Sequence, residues 1–168
     1  IFGSDGVHLF QLDNKNFQLI LGESKIKGIL SKAVDEAFES IKKVSNDPDN
    51  ELRLIEKNIL SESFDEETTA FIKSLIVPLK RDKTTSVDNA FGIFLGYTLG
   101  IDATQYSNTE FRKAVNERLK IDLDKIAPYI EKKINESGLA GYSFYFYILP
   151  FNKAKEDRTA IINKLKGE

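Results

Sequence analysis

Residues 17–44 carry the feature that most limits how this chain can fold. An apolar strand, residues 17–25, ends in the charged tripeptide Glu23-Ser24-Lys25 and is followed at once by a helix. From Ile29 to Val44 apolar residues recur at three- and four-residue spacing, which makes one broad apolar helix face. A strand followed directly by such a helix predicts an α/β protein, in which helices cover a sheet.

Further segments extend this pattern in both directions. Upstream, Val7–Leu12 reads as a strand that pairs with residues 17–25 across a polar turn, as in a β-hairpin. Downstream we expect helix at 51–60, a helix opened by a capping box at 63–66 and running to about 79, and a buried strand at 90–99 that suits a parallel sheet. The fold class is therefore α/β, with a mixed central sheet flanked by helices.

The last third of the chain predicts helices around one more strand. A second capping box opens at Ser107 and starts a helix to about Lys120, and Asp122 can cap another that ends near Gly138. Pro128 lies inside that second helix, so the helix is kinked or starts later. Residues 142–149 form the clearest strand, and a closing helix at 153–166 is expected to turn Ile161, Ile162 and Leu165 inward.

Composition narrows the classes of protein to consider. The 168 residues, 41% of them hydrophobic, suit a single folded domain over 1–168. No apolar run is long enough to cross a membrane, and the absence of cysteine fits a cytoplasmic protein. The net charge of −2 argues against a protein that coats DNA tightly, but not against a nuclease. Because the chain opens on Ile1 and contains no methionine, we expect a C-terminal piece of a longer protein.

Asp5, Glu23 and Lys25 are the candidate catalytic residues. Two carboxylates can hold a hard divalent cation, and a neighbouring ammonium can orient or activate the attacking water. Glu23 and Lys25 share one strand face because side chains alternate along a strand. A hairpin loop of three or five residues puts Asp5 on that face, whereas two or four residues put it on the Ser24 face, and the sequence leaves this register open.

A less specific interpretation competes with this one. Acid-x-Lys also occurs at residues 13–15, in a turn, and at 131–133, on a helix. Glu23 and Lys25 can equally be a solvated ion pair at the end of a strand, which would contribute little to stability. Asp5 on the partner strand and the helix that follows favour the catalytic reading.

Asp5, Glu23-Ser24-Lys25 and the amphipathic helix together resemble the motif of the PD-(D/E)xK nuclease superfamily. Gly22-Glu23-Ser24-Lys25 leading into a helix resembles, more narrowly, the nuclease subunit of the Hachiman phage-defence system. The resemblance implies a restriction-endonuclease-like fold, with the helix that usually precedes the first strand missing. It also implies Mg²⁺, replaceable by Mn²⁺, bound by Asp5, Glu23 and the Ser24 carbonyl. Lys25 would act beside the attacking water on DNA, with a helicase as partner.

The remaining polar and aromatic residues support less specific predictions. His8 lies three residues after Asp5 and so on the opposite strand face, which makes it a packed or exposed strand residue and not a ligand. The aromatic residues of 142–149 can stack on bases but are expected in the core. Lys27 and Lys32 are placed to meet a phosphate. The sequence contains no P-loop, dinucleotide-binding glycine pattern, nucleophile elbow or HExxH helix.

The sequence thus predicts a metal-dependent nuclease that cleaves DNA, acting in anti-phage defence. Two alternatives stay open: a non-catalytic module that holds nucleic acid or a protein on the same fold, and a purely structural or interaction domain. The first binds nucleic acid without cutting it, and the second has no affinity for nucleic acid even at low salt.

Overall fold

The computed structural model describes residues 5–13, 16–45, 66, 70 and 86–166. Their elements are a mixture of strands and helices: β1 (Gly6–Gln11), β2 (Asn16–Ile26), α1 (Leu30–Ser45), β3 (Ser86–Thr98), a 3₁₀ turn (Ala103–Gln105), α2 (Asn108–Ser137), β4 (Ser143–Phe151) and α3 (Ala154–Lys166). The strands form a four-stranded mixed sheet in the order β1-β2-β3-β4, flanked by helices. The predicted α/β class is confirmed. The helices predicted at 51–60 and 63–79 lie outside the described residues, apart from Glu66 and Ala70.

The first two strands form the expected hairpin. β1 and β2 are antiparallel, in a register that runs from Gly6 opposite Gly22 to Gln11 opposite Phe17. At the turn the Asn16 backbone N–H donates to Asp13 Oδ1 at 2.9 Å, and Asn16 Nδ2 donates to Asp13 Oδ2 at 2.7 Å. Asparagine and aspartate favour turns because their side chains form such local hydrogen bonds.

Strand β3 is parallel to β2, as its continuous apolar sequence predicted. The Lys27 N–H donates to Gly96 O and the Thr98 N–H donates to Gly28 O, so β2 and β3 run in the same direction. β3 lies between β2 and β4, and its side chains are buried along most of its length. At Gly96 a Cβ would stand 2.7 Å from Phe151 Cε2 and 2.9 Å from Ile26 Cγ1, so only glycine fits without displacing its neighbours.

Contacts group the chain into two compact units. The first contains the described parts of Ile1–Glu23, Ser40–Gly92 and Tyr142–Tyr145. In it Phe17, Leu19 and Leu21 are buried along one face of β2. The ring of Phe91 lies 5.5 Å from that of Tyr142 and 5.3 Å from that of Phe144, measured between centroids. These rings form an aromatic cluster, a type of contact that stabilises beyond the area it buries.

The second unit contains Ser24–Glu39, Ile93–Gly141 and the described part of Phe146–Glu168. Its α1 and α2 are joined through Asp35. The Tyr129 hydroxyl donates to Asp35 Oδ1 at 2.6 Å, and Lys133 Nζ lies 2.6 Å from the same oxygen. The Lys133 ammonium also stands 5.2 Å from the centroid of the Tyr129 ring, a cation–π distance.

Helix α2 departs from the prediction of two helices. Its start is confirmed, since Ser107 and Glu110 form a reciprocal capping box, and Gly138 ends it with a φ of 74°. Between them, however, one helix of 30 residues runs through Pro128 without a break. Asp122 does not cap a helix: it accepts hydrogen bonds from the Tyr97 hydroxyl and from Arg118 Nε. Pro128 is exposed and removes only one intrahelical hydrogen bond, a loss that the packing around it overrides.

Strand β4 also differs from expectation. It continues through Pro150 to Phe151, because β4 is at the edge of the described sheet, where a residue without an N–H is tolerated. Its side chains alternate, and the expectation that its aromatic residues belong to the core is wrong for Tyr145 and Tyr147, which are 41% and 65% exposed. The alternation shows that the face of β4 that carries Tyr145 and Tyr147 is the more exposed one.

Helix α3 forms where the sequence predicts it, but its orientation differs. Ile162 is half-buried as expected, whereas Ile161 and Leu165 are 53% and 82% exposed. The inward prediction is therefore wrong for these two residues. The helix is buried mainly through Ala154 at its start, where the Ala154 N–H donates to Thr98 Oγ1. No helix in the described part of the chain is long and apolar enough to cross a membrane.

Acid should weaken the contact between α1 and α2. The hydrogen bonds from Lys133 and Tyr129 hold the pKa of Asp35 below its ordinary 3.8. A lowered folded-state pKa contributes stability above 3.8 that is lost as pH falls through that lowered pKa. We expect Asp35→Asn to reduce the free energy of unfolding at pH 7 by about 1 kcal/mol or less, since solvent screens this partly exposed group. Urea unfolding of both proteins at pH 7 and pH 3 should show the difference shrinking at the lower pH. A difference that stays constant would contradict this assignment.

Candidate metal centre at the end of strand β2

Glu23 is a buried carboxylate on the apolar face of β2. The strand alternates strictly, so Glu23 follows Leu19 and Leu21 on the buried face, and only 6% of it is exposed. Removing a carboxylate from water costs several kcal/mol unless a cation or hydrogen bonds compensate. Glu23 is therefore too buried to be the solvated member of an ion pair at a strand end, and its carboxylate is compensated within the protein.

Lys25 and Ser24 occupy the positions that alternation dictates. Ser24 is exposed on the other face of β2, and Lys25, two residues beyond Glu23, is half-buried. Glu23 and Lys25 therefore project from the same side of one strand, as predicted. The Nζ of Lys27, just beyond the strand, lies 2.7 Å from Glu36 Oε2, and the expected contact of Lys27 with a phosphate stays a prediction. Lys32 is exposed on α1.

Asp5 lies beside this segment at the open end of the hairpin. The ladder pairs Gly6 with Gly22, which is the register of a hairpin loop with an odd number of residues. This is one of the two alternatives that the sequence left open. Asp5 precedes β1, and its backbone N–H donates to Gly22 O at 2.8 Å. The regular ladder thus ends at Gly6, and the backbone of Asp5 stands next to Gly22, the residue before Glu23. Asp5 itself is exposed, so a cation or a phosphate can reach it from solvent.

Gly22 allows β1 and β2 to lie close together. A Cβ on Gly22 would stand 3.1 Å from the carbonyl oxygen of Gly6, whereas a Cβ on Gly6 would meet nothing within 4 Å. Gly22 therefore keeps β1 close, and Gly6 is the glycine that leaves space beside the acids. His8 is exposed in β1 with its ring 6.4 Å from that of Phe10, the strand position expected for it.

The donor set suits Mg²⁺ only as a site completed by water and substrate. Within the described ranges no group of three or more His, Cys, Asp or Glu side chains is arranged to hold a metal ion. Magnesium is commonly bound through one or two carboxylates, with waters and phosphate oxygens completing its octahedron. Asp5 and Glu23 match that requirement in number and in ligand type, and the metal site formed with the Ser24 carbonyl remains a prediction.

A second polar cluster was missed by sequence reasoning. The hydroxyl of Tyr97, a residue that is only 4% exposed, donates to Asp122 Oδ2 at 3.0 Å, and Arg118 Nε lies 3.1 Å from Asp122 Oδ1. Burial, followed by this hydrogen bond to Asp122, raises the pKa of Tyr97 above its ordinary value. Tyr97 therefore stays a neutral donor at physiological pH. The signal in the sequence was the spacing of Arg118, Asp122 and Lys125, which puts all three on one face of α2.

Comparison with known proteins gives a family. A family model described as HamA matches residues 1–165. No curated protein and no solved structure matches the chain.

Proposed function

Because this chain belongs to the HamA family, the nuclease subunit of the Hachiman anti-phage defence system, we propose that it is a Mg²⁺-dependent nuclease of PD-(D/E)xK type that cleaves DNA. A defence role follows from the family itself. The observation that carries the chemical proposal is the buried Glu23, one residue beyond the Gly22 carbonyl to which Asp5 donates its N–H.

Each residue has a distinct task in this proposal. Asp5, Glu23 and the Ser24 carbonyl would hold the cation, which supplies Lewis-acid stabilisation and a more acidic water when bound. Asp5 is exposed, so an incoming phosphate can reach it, whereas Glu23 is buried. Lys25, on the Glu23 side of β2, would donate a hydrogen bond to the attacking water or to the phosphate oxygen on which charge develops.

We also propose a helicase partner, which the Hachiman defence context suggests. A helicase would separate or translocate DNA and so present strands to the nuclease. A subunit that depends on a partner for delivery does not need a strongly basic surface of its own, which is consistent with a net charge of −2.

The direct test measures cleavage of end-labelled single- and double-stranded DNA by the full-length protein, with and without its partner. We expect cleavage with Mg²⁺ or Mn²⁺ and none with EDTA. Lys25→Met should retain DNA binding and lose about a hundredfold or more in rate, the contribution typical of a positioned proton donor or acceptor. Lys42→Met, an equal loss of charge at an exposed position in the last turn of α1, is the matched control.

The outcomes separate the rival functions. DNA binding without cleavage in any metal would favour the non-catalytic module. Absence of both binding and cleavage at low salt, where electrostatic affinity is greatest, would favour the interaction domain. Cleavage that persists in EDTA would overturn the metal-dependent mechanism.

A further inference from the structure

A cavity of about 500 Å³ lies in the second unit, away from the residues assigned to metal. It is bounded by the end of β3 at Tyr97 and Thr98, by residues 28–31 after β2, and by one face of α2. Because β2 and β3 are parallel, the cavity stands at the carboxyl ends of two neighbouring strands. Open α/β sheets bind ligands in this place, and the volume is in the range of small-molecule sites.

The polar side of the cavity carries two cationic side chains, of which Arg118 is held by a salt bridge to Asp122. Arg118 and Lys125 line it from one face of α2, about two turns apart, and among the described lining residues the single acid is Asp122. Asp122 is engaged by Arg118 Nε and by the buried Tyr97 hydroxyl, which together orient the guanidinium. That salt bridge uses Nε, so the Nη nitrogens, with four N–H donors, are the ones that can meet a ligand. Lys125 makes no salt bridge within the described part of the chain.

The start of α1 adds to this positive field. Its first residues, Leu30 and Ser31, line the cavity, and the helix has no acidic residue in its first turn. The first N–H groups of a helix lack intrahelical acceptors and carry partial positive charge, so anions bind there. Ser31 contributes a hydroxyl as well. The lining also includes the apolar side chains of Ile29 and Ile126, against which a base or sugar can pack.

We propose that this cavity, the α1–α2 pocket, binds the phosphate of a nucleotide through Arg118, Lys125 and the start of α1, with the nucleoside against Ile29 and Ile126. The choice of a nucleotide over other phosphates rests on the proposed nuclease function. The nucleotide is either one unit of the bound DNA strand or a free mononucleotide, which present the same phosphate chemistry. Tyr97 and Asp122 are positioning residues, since they act on the ligand through Arg118.

The test measures binding without metal, so that cleavage plays no part. Calorimetric titration of the full-length protein in EDTA at low salt compares dAMP with deoxyadenosine, and repeats the dAMP titration with Lys125→Gln and Arg118→Gln. We expect dAMP to bind at least about tenfold more tightly than deoxyadenosine, and each variant to weaken it by at least about tenfold, the loss of one charge-assisted hydrogen bond. Lys132→Gln removes the same charge from α2 outside the pocket, where Lys132 pairs with Glu136, and should leave dAMP affinity unchanged.

Competition identifies the source of the phosphate. A single-stranded oligonucleotide that displaces dAMP assigns the pocket to the DNA strand, and one that binds without displacing it assigns a free nucleotide. Equal affinity for dAMP and deoxyadenosine, or equal weakening by Lys125→Gln and Lys132→Gln, would overturn the proposal. Arg118→Gln disturbs a salt bridge, but Lys125→Gln alters an exposed residue and decides the matter even if the first variant unfolds. Failure here leaves metal-dependent cleavage untouched, and loss of cleavage leaves these affinities untouched.

Discussion

Replacing Glu23 by glutamine should abolish metal-dependent DNA cleavage while the protein stays folded. Glutamine keeps the shape of the side chain but removes the negative charge that the proposed Mg²⁺ requires. We expect the rate to fall by about a thousandfold or more, equivalent to about 4 kcal/mol of transition-state stabilisation. The measurement is the initial rate of cleavage at saturating Mg²⁺, together with the unfolding midpoint of the variant. Because Glu23 is only 6% exposed, the unfolding midpoint shows whether the loss of activity has a structural cause.

A matched control exists in another acid-x-Lys tripeptide, residues 131–133. Glu131 lies exposed on α2 and precedes two lysines, so Glu131→Gln makes the same chemical change in the same local motif. Its cleavage rate should equal that of the unmodified protein. If Glu23→Gln cleaves DNA as fast as Glu131→Gln does, the buried carboxylate is a structural residue and the proposed metal site is wrong.

Truncating Phe91 should cause a large loss of stability in the first unit. Phe91 is 1% exposed, and its ring is in contact distance of Tyr142 and Phe144. Phe91→Ala removes the ring from the middle of β3 and leaves a cavity that strands on either side cannot collapse to fill. We expect the free energy of unfolding to fall by about 3–5 kcal/mol. That is a large fraction of the roughly 5–15 kcal/mol that stabilises an ordinary domain.

Urea unfolding at pH 7 measures this loss, and Phe10→Ala is the control. Phe10 is in β1 and is 51% exposed, so the same truncation there removes a ring that is already half in water. We expect a change of about 1 kcal/mol or less at that position. Equal losses for the two variants would show that the aromatic cluster around Phe91 contributes no more than an ordinary surface residue.

Local patterns in the sequence predicted most of the elements correctly. The alternation in β2 put Glu23 on the face of Leu19 and Leu21, and the structure buries all three. The capping box at Ser107 and the glycine at 138 marked both ends of α2. These signals work because capping bonds, alternation and helical periodicity join residues only a few positions apart.

Predictions failed where one residue type can serve two purposes. Asp122 has a side chain that can cap a helix, but it accepts a hydrogen bond from Tyr97, 25 residues away. No local sequence pattern predicts that contact. Tyr145 and Tyr147 have the β-propensity of core residues, yet they lie on the exposed face of β4. Propensity describes how well a side chain fits a strand, and burial depends on what packs against that strand.

The sequence by itself determined the α/β class, the polarity of each face of β2, and the Glu23-Ser24-Lys25 tripeptide at the end of that strand. Only the tertiary structure decided the order of the strands, the end of the β1–β2 ladder beside Asp5, and the link from Tyr97 through Asp122 to Arg118. The division has a physical reason. Local hydrogen bonds and side-chain periodicity are properties of a short segment, whereas register, sheet order and long-range hydrogen bonds depend on which distant segments pack together.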